Sequence, residues 1–311
     1  MFVGLLRVTD STPLILLMRY AVRYSYDNMS WQILTAISVL TLSASVLLQR
    51  VLLSKDRLDP YSYAVVFQTL VGAILMVAAV LAGFSLANIE AVITPALLSI
   101  VAFGVGHIAY AKTLQTVEAS AFSVLFATQA IWIMLLGIVL FNESLAPLQL
   151  VGTLLIFGSI GIVFKNIRSL KLDKGTGLGL LTGILFGVAI TSWSYVGRYV
   201  DGLSWAAISF VGTALVVLLI RPRSITKVHS MFKPKIAATL FLLAVFYAIG
   251  SVAMLFAYKE GTFSVVTPLR QTSIIATTLL ALLFLAKERT RVGTKLLAAL
   301  VCFIGVVLIV V

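Results

Sequence analysis

Ten stretches of this chain are long and apolar enough to cross a lipid bilayer, and the last five repeat the first five. A membrane-spanning helix needs about 20 mainly apolar residues. The stretches are Trp31–Leu53, Tyr61–Phe84, Ala91–Thr113, Ser120–Phe141 and Leu148–Phe164, then Thr176–Gly197, Leu203–Ile220, Ile236–Tyr258, Thr262–Ala286 and Val292–Val311. Their apolar runs are continuous rather than alternating, which excludes a β-barrel. Lipid-facing backbone must bond within its own segment, which leaves helices. The expected fold is all-α: a polytopic membrane protein of ten transmembrane helices, arranged as an inverted repeat of two five-helix units. Residues 1–30 form a polar N-terminal lead, 31–165 the first repeat and 176–311 the second.

Composition agrees. Hydrophobic residues make up 61% of the chain and charged residues 11%, against 45–50% apolar in soluble domains. The surplus has to face lipid. The net charge of +12 would suit nucleic acid, but the basic residues sit in short loops between apolar stretches, where they set topology and meet lipid headgroups. No nucleic-acid partner is expected. Cys302 is the single cysteine, and His107 and His229 are the two histidines. A disulfide framework, a metal centre and a cofactor are therefore not expected. The apolar run Pro13–Met18 is short and is followed by Arg19 and Arg23, so the lead is a poor signal peptide.

The repeat is visible residue by residue. Arg50 and Arg198 close the first and sixth stretches, and Ala109-Tyr110 and Ala257-Tyr258 end the third and eighth, both 148 positions apart. Glu143 and Glu288 follow the fourth and ninth, 145 apart. An odd number of spans per unit places the two copies in opposite orientations, an arrangement typical of secondary transporters. Gly152, Gly158, Gly161, Gly177, Gly179, Gly183 and Gly187 recur within spans and read as close helix contacts, with hinging as the alternative.

Phe141-Asn142-Glu143-Ser144-Leu145, followed by Pro147-Leu148-Gln149-Leu150-Val151-Gly152, resembles the junction before the fifth helix of EamA-type proteins in the drug/metabolite transporter superfamily. Leu283-Phe284-Leu285-Ala286-Lys287-Glu288-Arg289 is similar to the same junction in the second copy, and Glu118-Ala119-Ser120-Ala121 to the link before the fourth helix. Asn142 and Ala286-Lys287 stand where the family usually has glycine. The resemblance implies a ten-helix carrier with a central cavity, working by alternating access.

Arg270 is the sharpest local feature. It is the one basic residue within a span and away from its ends, and no acid lies at comparable depth on any stretch. An intramembrane arginine costs about 2.5–3.5 kcal/mol or more and normally faces a cavity or a partner. Arg270 is therefore a candidate contact for a carboxylate or phosphate on a substrate. The competing reading is that it snorkels, or bonds carbonyls freed by Pro268. Gln68, Gln129, Gln271, His107, Trp193, Ser194 and Tyr247 complete the candidate substrate-binding set, because polar groups inside a membrane turn toward the protein interior. His107 reads either as a proton relay or as a neutral residue bonded to a neighbouring helix. Aligned from Glu118 and Glu260, Gln129 pairs with Gln271. Glu143, Glu288 and Pro268 are junction residues with structural roles in capping and helix interruption. No deep carboxylate pair, Gly-x-Ser-x-Gly or nucleotide-binding glycine loop occurs, so an enzyme is not expected.

Seventeen of the 23 Lys and Arg residues lie in odd-numbered loops; Arg7, Arg19, Arg23, Arg198 and Lys259 lie in the lead or even-numbered loops. The positive-inside rule then makes the odd loops cytoplasmic, whereas the family resemblance implies cytoplasmic termini. The functional expectation is a secondary transporter of a small anionic or zwitterionic metabolite, such as an amino acid-like compound. An organic phosphate or nucleotide-sugar carrier is the alternative, and a non-transporting membrane scaffold or partner subunit is the alternative of another class. The expected partners are the small-molecule substrate, the lipid bilayer and, for a homodimer, a second copy. The expected location is a prokaryotic cytoplasmic (inner) membrane.

Overall fold

A computed structural model describes residues 30–55, 58–141, 146–164, 174–260, 266, 269–270, 272–285 and 291–310. These residues contain helices and no strand. The helices are α1 (Trp31–Arg50), α2 (Pro60–Ala82), α3 (Ile93–Thr116), α4 (Ala119–Phe126), α5 (Gln129–Phe141), α6 (Pro147–Phe164), α7 (Lys174–Val196), α8 (Gly202–Ile220), α9 (Pro234–Glu260), α10 (Ser273–Phe284) and α11 (Val292–Val310). Eight helical segments among the described residues are long and apolar enough to cross a membrane; Pro147–Ile162 and Ser273–Phe284 are apolar but shorter.

Local chemistry sets several boundaries. Asp59 caps α2 by accepting the Ser62 N–H at 3.1 Å, with Pro60 in the first turn. Asp201 caps α8 in the same way, accepting the Ser204 N–H at 2.8 Å. The two caps lie at equivalent places in the two halves. The α2 helix ends at Gly83, whose φ of 99° belongs to the left-handed region that glycine enters without strain. At α6 the Gln149 side chain turns back to accept the Ala146 N–H at 3.0 Å, the glutamine half of a capping box.

The packing exchanges the two halves. Helix α1 packs on α9 and α7 on α3; α2 packs on α8; α6 packs on α11; α5 packs on α7 as α10 packs on α1. Swapping each helix for its repeat partner returns the same set of neighbours, as two-fold pseudosymmetry requires. Since lipid is as apolar as leucine, contacts between such helices come from close approach rather than from expulsion of water. Gly152 and Gly305 illustrate this where α6 crosses α11. A Cβ on Gly305 would sit 2.7 Å from the Gly152 carbonyl oxygen. Gly158, Gly161 and Gly177 have open space around them instead, so the expectation of close packing fails for those three. Val77, Val139, Leu154, Leu219 and Phe284 are exposed on the outside, a surface suited to lipid rather than water.

The odd-numbered loops gather at one end. The Arg50 guanidinium donates to the Leu114 carbonyl, Gln115 Nε2 donates to the Leu58 carbonyl at 2.9 Å, and Lys112 Nζ lies 2.9 Å from the Tyr61 hydroxyl. Lys295 pairs with Glu118 at 2.5 Å. At the other end the Ser85 N–H donates to the Ser204 hydroxyl at 3.0 Å.

Two expected spans differ in the structure. The fourth, expected as one helix over 120–141, is interrupted at Ala127–Thr128 and divides into α4 and α5. The ninth, expected over 262–286, is helical at Val266, Leu269 and Arg270, turns at Thr272 and continues as a helix from Ser273 to Phe284.

Candidate functional site

The two interruptions have the same local construction. In the first half the Thr128 N–H reaches the Leu125 carbonyl at 3.2 Å, and the Thr128 hydroxyl donates to the same oxygen at 2.7 Å. In the second half the Thr272 N–H reaches the Leu269 carbonyl at 3.1 Å, and the Thr272 hydroxyl donates to it at 2.6 Å. Leu125 and Leu269, like Thr128 and Thr272, are 144 positions apart. A hydroxyl that bonds a carbonyl one turn back competes with the helical ladder and bends a helix. The three-residue spacing of these bonds tightens the chain into a 3₁₀-like turn.

Glycines let a neighbouring helix press against the first interruption. A Cβ on Gly183 of α7 would fall on the Thr128 hydroxyl, and one on Gly187 would lie 2.5 Å from Trp132 Cβ and 3.3 Å from the Gln129 carbonyl oxygen. Ser43 of α1 takes the matching place at the second interruption, its hydroxyl 3.4 Å from the Ser273 carbonyl oxygen. These contacts pair Gln129 with Ser273. The Leu-x-x-Thr turns, 144 positions apart, set Gln129 level with Ser273; Gln271, its partner in the alignment from Glu118 and Glu260, lies outside the described residues.

A buried aromatic group lies beside the first interruption. Phe186 of α7 meets His107 at a centroid distance of 4.9 Å, Phe126 at 4.9 Å and Phe103 at 5.4 Å. Tyr110 meets Phe122 at 4.6 Å and Phe126 at 5.7 Å. Phe67 of α2 stacks on Tyr63 at 5.7 Å and meets Tyr247 of α9 edge-on at 5.2 Å. His107 is thus enclosed by Phe67, Phe103, Tyr110 and Phe186.

Charge enters this apolar centre from the second interruption. Arg270, half-buried between Leu269 and Thr272, lies within electrostatic reach of Tyr247. Tyr247 in turn lies within reach of Tyr63 and Tyr110, and the Tyr110 hydroxyl bonds the Gln49 side chain. Five buried side-chain polar atoms find no hydrogen-bond partner among the described residues: Gln68 Nε2, Gln129 Oε1 and the hydroxyls of Tyr63, Ser38 and Ser224. Leaving a buried polar group unbonded costs about 1–3 kcal/mol. The arrangement therefore holds donors, an acceptor and a cation against aromatic faces.

Phe67 links His107 to Tyr247, which lies within electrostatic reach of Arg270, while Gln68 is buried on α2 and Gln129 begins α5 at the first interruption. Trp193 packs against the same buried cluster as Tyr247, with its polar groups turned to α8. The Trp193 indole N–H donates to the Ser209 hydroxyl at 3.1 Å, and its carbonyl accepts from the Trp205 indole at 3.2 Å. That ties α7 to α8 near the end of α7, and Ser194 is exposed. Gln271, Pro268, Glu143 and Glu288 lie outside the described residues. Sequence reasoning missed Tyr63, which stands in Pro60-Tyr61-Ser62-Tyr63 at a span entrance and reads as an interfacial anchor. It is 2% exposed. Among the described residues no three His, Cys, Asp or Glu side chains are grouped to hold a metal ion.

The odd-loop end carries its own polar cluster. Asp59 meets Lys227 at 3.4 Å and Arg221 at 3.7 Å, while Arg221 and Lys112 cover the Tyr61 ring at 4.7 and 4.8 Å. Partial burial raises the Asp59 pKa. The Ser62 hydrogen bonds and the charges of Lys227 and Arg221 outweigh that and hold the carboxyl below its ordinary value of 3.8.

Comparison with known proteins places the fold. A solved structure described only as "Crystal structure of protein" is similar over 90% of this chain and 98% of its own, with a TM-score of 0.54 at 15% identity. That degree of identity speaks for the shared architecture alone. No curated protein matches this chain. The family model described as "EamA-like transporter family" matches twice, over residues 29–165 and again over 173–311. With both matches spanning the two sets of exchanging helices, this chain belongs to the EamA-like transporter family.

Proposed function

We propose that this protein is a secondary carrier of a small anionic or zwitterionic metabolite, working by alternating access between two oppositely oriented five-helix halves. The observation that carries the proposal is the charge at one of two matched helix interruptions: Arg270 stands where the first half has Phe126. Interrupted helices at corresponding places in two repeats are the typical setting of a transporter's binding site.

In this reading ten helices cross the membrane, with α4 and α5 forming the fourth span. The Arg270 guanidinium receives the substrate's anionic group, and Gln68 Nε2 donates a further hydrogen bond. Gln129 Oε1 accepts from an ammonium or hydroxyl. Tyr247 and its aromatic neighbours exclude water, which strengthens these contacts. A polar substrate would bond to Gln68 Nε2 and Gln129 Oε1, which have no partner among the described residues. Movement of one half against the other would then expose the site to either side in turn.

Thermal stabilisation of the purified protein across a metabolite panel identifies the ligand, because a compound that binds the folded form raises the melting temperature. Uptake of that compound into proteoliposomes follows. Loss of uptake in Arg270→Ala, with normal folding and partial recovery in Arg270→Lys, supports the reading. Undiminished uptake in Arg270→Ala rejects it. Failure of the whole anionic and zwitterionic panel to stabilise the protein would favour the scaffold alternative.

A further inference from the structure

The odd-loop end holds a cleft of about 950 Å³ between the first and second repeats. Asp59 and Gln115 line it from the first half; Lys227, His229, Ser230 and Lys233 line it from the second. The acid of this set is already bonded to Ser62 and faces Arg221 and Lys227. Lys233 and Ser230, together with Lys227, which Arg221 can replace on Asp59, present a site for an anion.

The wall contributed by the second half is a one-turn helix, Ser224–Lys227, followed by a 3₁₀ turn, Val228–Phe232. Ile225 and Phe232 on this segment are 60% and 71% exposed, while Arg221, Arg223, Lys227, Lys233 and Lys235 surround them in sequence. Exposed apolar side chains set among basic ones mark a segment lying at the boundary between headgroups and acyl chains. Phe232 both lines the cleft and turns outward. The cleft therefore opens at the level of lipid phosphates.

We propose that this cleft binds the headgroup of an anionic phospholipid, with Lys227 and Lys233 on the phosphate and Phe232 against the acyl chains. A lipid seated there touches both repeats at once and links the anionic lipid content of the membrane to their relative position. The site is separate from the group around Arg270, and its occupation does not depend on which substrate is carried.

The test uses the purified full chain in a neutral detergent, supplemented in turn with phosphatidylglycerol, phosphatidylcholine or inorganic phosphate, with the melting temperature as the readout. Phosphatidylglycerol raises the melting temperature of the wild type, and phosphatidylcholine and phosphate do not. The double variant Lys227→Gln/Lys233→Gln, whose folding is read from its melting temperature without lipid, binds phosphatidylglycerol about 10–30-fold more weakly, the effect expected for two cations near an anionic surface. Phe232→Ser weakens binding with both lysines intact, and Arg198→Gln at the opposite end leaves it unchanged. Equal stabilisation by phosphatidylcholine, or a full shift in the lysine double variant, overturns the proposal. A full shift with phosphate alone reassigns the cleft to a soluble anion and equally overturns the lipid reading.

Discussion

The fourth and ninth apolar stretches turn at matching threonines, yet the residue two places before each threonine differs completely in character. In the first half it is Phe126, packed against Phe122 and Phe186 at 5.5 and 4.9 Å. In the second it is Arg270, half-buried beside Tyr247. The backbone device is shared, while the side chains give one half a packed wall and the other a cation. A duplicated unit can keep its architecture and still divide the labour of binding, because a hydroxyl–carbonyl turn depends on local geometry and not on what the next side chain carries.

Making the second turn resemble the first is the strongest way to break this contrast. Arg270→Phe is expected to lower transport by roughly 10–100-fold, the worth of a charged hydrogen bond. Its melting temperature holds or rises, since an intramembrane charge is removed. A folded Arg270→Phe protein that transports at the wild-type rate would show that the charge has no part in binding. The opposite change is structural. Phe126→Ala leaves a gap between Tyr110, Phe122 and Phe186, and unfolding measurements should show a loss of roughly 3–5 kcal/mol.

The helices that press on the two turns sharpen the comparison further. Gly187→Ala forces a methyl group against Trp132 and should destabilise by about 1–3 kcal/mol. Ser43→Ala, at the matching place in the first half, removes a long contact to Ser273 and should change stability by no more than about 0.5 kcal/mol. Equal costs for the pair would show that the close approach at Gly187 does not set the first turn apart from the second.

The smallest expected effect concerns the paired caps. The Asp59 pKa is lowered in the folded protein, so its ionisation adds stability that is fully present above the ordinary carboxylate pKa of 3.8 and fades as pH falls through the lower folded value. Melting curves of the wild type and Asp59→Asn should therefore differ by a constant amount near neutrality and converge below about pH 4. A difference that persists at lower pH would assign the effect to the cap's shape rather than its charge.

Much of the fold was legible because membrane spans announce themselves by length and apolarity, whatever their neighbours. The Asp59 cap is likewise local, since it is built from residues three apart in the chain. The interruptions were not. Leu-x-x-Thr is unremarkable inside an apolar run, and nothing in the order of residues says that Gly183 and Gly187 of α7 meet Thr128 and Trp132. Among site residues, Arg270 stood out because a charge within lipid demands an explanation. The Trp193 bond to Ser209 was not legible, since a tryptophan within a span looks the same whatever its indole meets. Tyr63 was missed for the opposite reason, since its place near a span entrance hides that α2 turns it inward.

The sequence by itself determined that this chain carries spans long and apolar enough for a bilayer, that it consists of two related halves, and that one arginine stands inside an apolar stretch. Those properties follow from residue type and order along single helices. Which helices touch, where two of them bend, and which polar atoms are left unbonded around Tyr247 were decided only by the tertiary structure. Between membrane helices, pairing is governed by how closely surfaces fit, and fit belongs to two helices together rather than to either one read alone.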